Sequence, residues 1–105
     1  MKPYGIKHLA AVAAKVGERW PVAVKFPPAS VTDRWNRWTH RADYLKVLES
    51  ELAAAEKHCP GEVGGYMVEI DRQKAKMKRL TVPAPYLSWE HIADFHAEAK
   101  KPFAT

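Results

Sequence analysis

The sequence has little cysteine and no long apolar run, and these two absences exclude disulfide-stabilised and membrane-spanning proteins. A single cysteine, Cys59, cannot form an internal disulfide, so we expect a reducing compartment. No stretch approaches the ~18 consecutive apolar residues of a membrane span. The N-terminal lysines closely bound a short alanine-rich run, which predicts a folded helix rather than an export signal. We therefore expect a cytoplasmic protein with no membrane partner.

Recognisable catalytic and metal-binding motifs are also lacking. The chain has no nucleophile elbow, P-loop or dinucleotide-binding motif. Its five histidines are not at chelating spacings, so we predict no metal site. They are His8, His40, His58, His91 and His96. Cys59 continues an apolar helical stripe, which predicts an inert core thiol rather than a nucleophile. The sequence thus favours a non-enzymatic protein without a cofactor.

The chain has 105 residues, of which 47% are hydrophobic, and this is enough for one core. We predict a single compact domain over residues 1–105. The formal net charge of +5 is local, because residues 72–79 carry five cations and no anion. This basic cluster consists of Arg72, Lys74, Lys76, Lys78 and Arg79. A local excess of cations attracts polyanions, although it is also typical of a solvated surface.

A second group of cations lies near the start of the longest predicted helix. Arg34, Arg37 and Arg41 recur at i, i+3 and i+7 and share one helix face, flanked by Trp35 and Trp38. Cations near a helix N-terminus oppose the helix dipole, so an external anion there would relieve the conflict. Arginines beside indoles suit phosphates and unstacked bases.

An internal explanation for the same arginines stays open. Glu90, Asp94 and Glu98 form an acidic stripe on the last predicted helix and could pair with the arginines. Tryptophans are also more often packing residues than recognition residues. In that case Trp35 and Trp38 fill the core and the external surface is smaller.

Hydrophobic spacing predicts three helices, over residues 6–17, 31–58 and 89–100. Ser30 or Thr32 is expected to cap the second helix and Ser88 the third. Between the first two helices, Trp20, Val22, Val24 and Phe26 alternate with other residues and predict an edge strand over 20–26.

Residues 62–82 fit two structures. Alternation of Tyr66, Val68 and Ile70 after a glycine pair predicts a hairpin with strands at 66–71 and 77–82. Val63, Tyr66, Ile70 and Met77 also share one face of a helix, which would have to tolerate the two glycines. We prefer the hairpin, and with it an α+β fold that has a long central helix. An all-α bundle is the alternative.

Two function classes follow from these features. The first is a small binding protein that contacts a polyanion, most simply nucleic acid, through the basic cluster and the three arginines. The second is a small inhibitor or adaptor, of the kind that phages and mobile elements encode, docking on an acidic protein or ribonucleoprotein surface. An enzyme with an unrecognised site is the third and weakest class, and the oligomeric state stays open.

Overall fold

The computed structural model describes residues 4–101, which form four α-helices, one short 3-10 helix and connecting segments. The α-helices are α1 (Ile6–Arg19), α2 (Ala29–His58), α3 (Val63–Lys78) and α4 (Trp89–Ala99). The 3-10 helix, Pro60–Glu62, joins α2 to α3. Residues 4–101 contain no β-strand. In the same range, no helix combines the length and apolar character that a membrane span requires.

The predicted α+β fold is wrong, and the all-α alternative fits the structure. The predicted strand 66–71 lies wholly within α3, and the predicted strand 77–82 begins at the end of that helix. The helical spacing decided the outcome, because Ile70 and Gln73 are buried while Tyr66 and Met77 are half-buried on the same side of α3. Alternation in this segment therefore did not reflect alternating burial.

The predicted strand 20–26 is extended but pairs with no strand in the described part of the chain. With 66–71 helical, the partner that this segment would have needed does not exist. Val22, Val24 and Phe26 still alternate in burial, since all three are half-buried and the residues between them are exposed. The segment bonds to a side chain instead: its Lys25 carbonyl accepts a hydrogen bond of 2.6 Å from the Tyr86 hydroxyl.

The three helices predicted from hydrophobic spacing are confirmed, with small shifts of their ends. The predicted cap of the second helix is wrong, because α2 begins at Ala29 and contains both Ser30 and Thr32. The backbone amides of Val31 and Thr32 donate instead to the carbonyl of Pro28, each over 3.0 Å. The Thr32 bond is the first regular bond of the helix, whereas the Val31 amide is satisfied by a backbone oxygen where we expected a side chain.

Cys59 is exposed, so the predicted core thiol is also wrong. The helix ends at His58, and the backbone of Cys59 leaves the helical region with φ −142° and ψ 64°. The apolar stripe of α2 therefore ends before Cys59, and extending it by one residue gave the wrong position for the thiol. Hydrogen bonding to Glu62 raises the pKa of the Cys59 thiol, which disfavours the reactive thiolate.

The N-terminal cap of α4 is as predicted. The Ser88 side chain accepts a hydrogen bond of 3.1 Å from the backbone amide of His91. Ser88→Ala is expected to lower the free energy of unfolding by about 1 kcal/mol, because that amide loses its partner. Chemical denaturation measures the loss. Ser50→Ala, at an exposed position inside α2, is the control. An equal loss in both variants would contradict a capping role.

Contacts divide the chain into two units, while the single domain stays a prediction. Unit 1 comprises residues up to Trp35 and from Val82 onward. In it, α1 packs against α4, and the core contains Val12, Val16 and Phe95. Val16 and Phe95 are completely buried, and aromatic residues from the connecting segments pack around them.

Unit 2, residues 36–81, is an antiparallel helical hairpin of α2 and α3. Arg41, early in this part of α2, bonds to Gln73 late in α3, whereas Glu51 further along α2 meets Tyr66 early in α3. The two helices therefore run in opposite directions. Few side chains in the hairpin are fully covered, and the buried apolar ones are Leu48, Ala55 and Ile70.

Candidate functional site

The basic cluster lies at the C-terminal end of α3. Arg72, Lys74, Lys76 and Lys78 belong to the helix, and Arg79 is its C-cap residue. All five cations are exposed. The helix forms here because its opposite side is covered, with Ile70 and Gln73 buried. A helix C-terminus also favours cations, since its unpaired carbonyls carry partial negative charge.

The cations form two rows along the exposed side of α3. At 100° per residue, a first row (Arg72, Lys76 and Arg79) lies roughly 140° around the helix from a second row (Lys74 and Lys78). Ala75 occupies the strip between the rows. This strip is directly opposite the buried side, so both rows project to the flanks of the exposed surface.

Most of these cations are not neutralised by the protein. Arg72 forms an ion pair of 2.7 Å with Glu69 in the preceding turn. Within residues 4–101, no ion pair joins the other four cations to a carboxylate. Asp71, one turn before Ala75, is exposed and marks the N-terminal limit of the basic surface. These four cations are therefore available to external anions.

The three arginines of α2 do not form a comparable surface. Arg41 is half-buried and donates a hydrogen bond of 3.0 Å to the Gln73 side chain, which in turn donates to Glu69 over 2.9 Å. Arg34 is half-buried and also has an interaction partner. Arg37 is exposed. Arg34 belongs to unit 1, whereas the other two belong to unit 2 with the basic cluster.

The indoles that flank these arginines are also engaged. Trp35 stacks on His96, with ring centroids 4.3 Å apart and planes at 8°. Trp38 is half-buried and has a partner of its own. The Trp35 ring is therefore covered on one face and does not present the unobstructed ring that stacking on a nucleic-acid base requires. These contacts favour the packing interpretation of both tryptophans.

The acidic stripe of α4 has a partner that sequence reasoning missed. Arg19, the last residue of α1, donates to Asp94 and Glu98 at 2.9 and 3.0 Å, and the Trp20 indole also donates to Asp94 at 2.9 Å. The hydrogen bond from Arg19, helped by that from Trp20, lowers the pKa of Asp94 despite burial. The position of Arg19 in the last turn of α1 was the available sequence signal, but Asp94 is 75 residues away and could not be identified as its partner.

An acidic groove of about 560 Å³ lies between α2 and α3 in unit 2. Its walls include Tyr44, Tyr66 and three carboxylates. Hydrogen bonding to Glu51 raises the pKa of Tyr66, and Glu69 is already occupied by Arg72 and Gln73. In the described residues, no group of three or more His, Cys, Asp or Glu side chains is placed to hold a metal ion.

Comparison with known proteins identifies no relative: no family model matches the chain, and no curated protein or solved structure shows significant similarity to it.

Proposed function

We propose that the protein binds nucleic acid through phosphate contacts made by the basic cluster of α3. The observation that carries the proposal is the exposure of five cations on one helix end, four of them without a carboxylate partner in the described residues. The rest of the chain is electrically balanced, with 12 cationic and 12 anionic side chains. The excess positive charge of the chain therefore lies in the basic cluster, which attracts polyanions.

Phosphate contacts of this kind give affinity without base recognition. Lysine and arginine displace counterions from the nucleic acid, so binding weakens steeply as salt is added. Gln73, a residue type that reads adenine, is buried and bonded to Arg41 and Glu69. Within residues 72–79, the strip between the two rows offers only the methyl group of Ala75. The proposed activity is thus independent of sequence.

Replacing all five cations of the basic cluster by glutamine is expected to abolish measurable binding at moderate salt. Fluorescence anisotropy with random-sequence DNA and RNA oligonucleotides measures the affinity. For five phosphates on duplex DNA, the affinity of the unmodified protein should fall about 500-fold between 50 and 200 mM salt. Circular dichroism checks that α3 remains helical, as glutamine is a good helix former.

A charge-matched variant provides the control. Five exposed lysines outside the cluster are replaced by glutamine, which removes the same formal charge: Lys7, Lys15, Lys46, Lys57 and Lys100. This variant should bind within about threefold of the unmodified protein, because the proposal assigns the phosphate contacts to the basic cluster and none to these lysines. Equal losses in the two variants, or no binding by the unmodified protein at low salt, would refute the proposal.

A protein partner is the second candidate, because the outer side of α3 is not uniformly basic. Met67 and Val68, in the first half of the helix, are 53% and 59% exposed. An apolar patch beside cations suits an acidic protein surface, as the adaptor or inhibitor hypothesis requires. Met67→Ser with Val68→Ser separates the candidates, since it would weaken docking on a protein while leaving phosphate contacts intact.

A further inference from the structure

We infer that the nucleic acid is a B-form DNA duplex and that the C-terminal half of α3 lies in its major groove. The inference rests on the proposed function and adds which form of nucleic acid the surface fits. Its basis is the division of the five cations into two rows on opposite flanks of the exposed side of α3. A single row would suit one phosphate backbone, whereas two rows suit the two backbones that border a groove.

The dimensions of the helix agree with this placement. An α-helix with its side chains is about 10–12 Å across, and the major groove of B-form DNA is about 12 Å wide. With the helix in the groove, the first row (Arg72, Lys76 and Arg79) lies along one backbone and the second row (Lys74 and Lys78) along the other. Residues 72–79 span about 12 Å of helix, which corresponds to three or four base pairs.

The strip between the rows is compatible with a close approach to the bases. Ala75 is small and exposed, so no bulky side chain holds the helix away from the groove floor. Asp71 and the exposed Val68 lie on the same side of α3 toward its N-terminus. An aspartate is repelled by phosphates, which places the point where α3 leaves the groove near Asp71.

Other forms of nucleic acid fit less well. Proteins that bind single strands stack bases on exposed aromatic rings, and three of the four indoles here are engaged in packing. Trp20 stacks on His91 with ring centroids 4.6 Å apart, Trp35 stacks on His96, and Trp89 is buried. Duplex RNA presents the same phosphates, but its major groove is too deep and narrow for side chains to read or a helix to enter.

Two variants that each remove one row test the inference. Arg72, Lys76 and Arg79 become glutamine in the first variant, and Lys74 and Lys78 in the second. The salt dependence of binding to a DNA duplex, measured by anisotropy, counts the phosphates engaged. With Arg72 released from Glu69 and all five cations on phosphates, the slope of log affinity against log salt should be about −4.5 for the unmodified protein. It should be about −1.8 without the first row and about −2.7 without the second.

The same titrations with single-stranded DNA and duplex RNA complete the experiment. The DNA duplex should bind at least about tenfold more tightly than either, and both rows should contribute to its slope. Equal affinity for the three forms, or a row whose removal leaves the duplex slope unchanged, would overturn groove binding while the proposed phosphate binding stands. Absence of binding to all three forms would overturn the proposed function itself. Circular dichroism of each variant shows whether α3 has kept its helix.

Discussion

Truncation of Phe95 to alanine is expected to lower the free energy of unfolding by about 3–5 kcal/mol. The side chain is completely buried in the core of unit 1, beside Val12 and Val16. Its ring meets the rings of Phe26 and Tyr86 edge-on, with centroid distances of 6.0 and 5.9 Å. Alanine leaves a cavity among these rings and removes both edge-to-face contacts, each of which adds about 0.5–1.5 kcal/mol to simple burial.

Urea denaturation followed by circular dichroism measures this loss. Native domains are stable by about 5–15 kcal/mol, so the variant should unfold at much lower urea and sit close to its transition at body temperature. Leu87→Ala is the matched control, because Leu87 is 46% exposed and its truncation should cost less than about 1 kcal/mol. A Phe95 variant as stable as this control would show that the aromatic core is not the principal source of stability.

Local signals made most of the helical structure predictable. The apolar stripe of α2, which includes Leu45, Leu48 and Leu52, has helical spacing whatever the tertiary context, and Leu48 is buried as expected. The Ser88 cap is equally local, because the hydroxyl bonds to an amide only three residues away. Features that depend on a few neighbouring residues could thus be read from the sequence.

The error at α3 came from two local signals that conflict. Tyr66, Val68 and Ile70 fall at every second position, as residues on one face of a strand would, yet Val68 is 59% exposed while Ile70 is buried. The glycine pair counted against the helix, because each glycine was assigned the full destabilisation of a glycine in a helix interior. Gly64 and Gly65 lie in the first turn of α3, where backbone amides have no partner within the helix. A pair at the helix end breaks less helical structure than a pair in the middle.

The candidate site likewise combines features that the sequence predicts with features that require the tertiary structure. An uninterrupted run of cations is exposed in almost any fold, so the basic cluster could be located from the sequence. The hydrogen bond of Arg41 could not be predicted, because its partner Gln73 lies on another helix and becomes buried only when the hairpin forms. The bonds of Arg19 to Asp94 and Glu98 likewise depend on the packing of α1 against α4. Long-range polar pairs require the tertiary structure.

Mild acid is expected to destabilise the protein through His91 and His96. Burial lowers the pKa of His91 below its ordinary value of 6.5, against a smaller opposing effect of Asp94. Burial also lowers the pKa of His96, with help from the charge of Lys100. Below about pH 6.5 the unfolded chain therefore binds protons that the folded protein does not accept, and folding loses stability as the pH falls. Above that pH both states are neutral at these rings and the stability is fully present.

The contacts of His91 explain why the folded state resists protonation. Its Nδ1 accepts a hydrogen bond of 3.2 Å from the backbone amide of Leu87, so the ring proton lies on Nε2. Nε2 is buried and has no hydrogen-bond partner in the described part of the chain. A second proton would have to enter at Nδ1, where it would displace the Leu87 amide. The resulting charge would also be buried away from water.

Denaturation at a series of pH values from about 7.5 to 5 measures the effect, with a limiting slope of about 1.4 kcal/mol per pH unit for each histidine that stays neutral. Asp94 does not obscure this window, because its lowered pKa moves its own contribution below about pH 4. His91→Asn keeps an acceptor near the Leu87 amide but cannot titrate, so it should reduce the slope to the part that His96 contributes, while lowering stability at every pH. His40→Asn, at an exposed position, should leave the profile as it is. If the slope is the same in His91→Asn as in the unmodified protein, His91 does not contribute to the acid sensitivity, because its imidazole is the one titrating group that this variant removes.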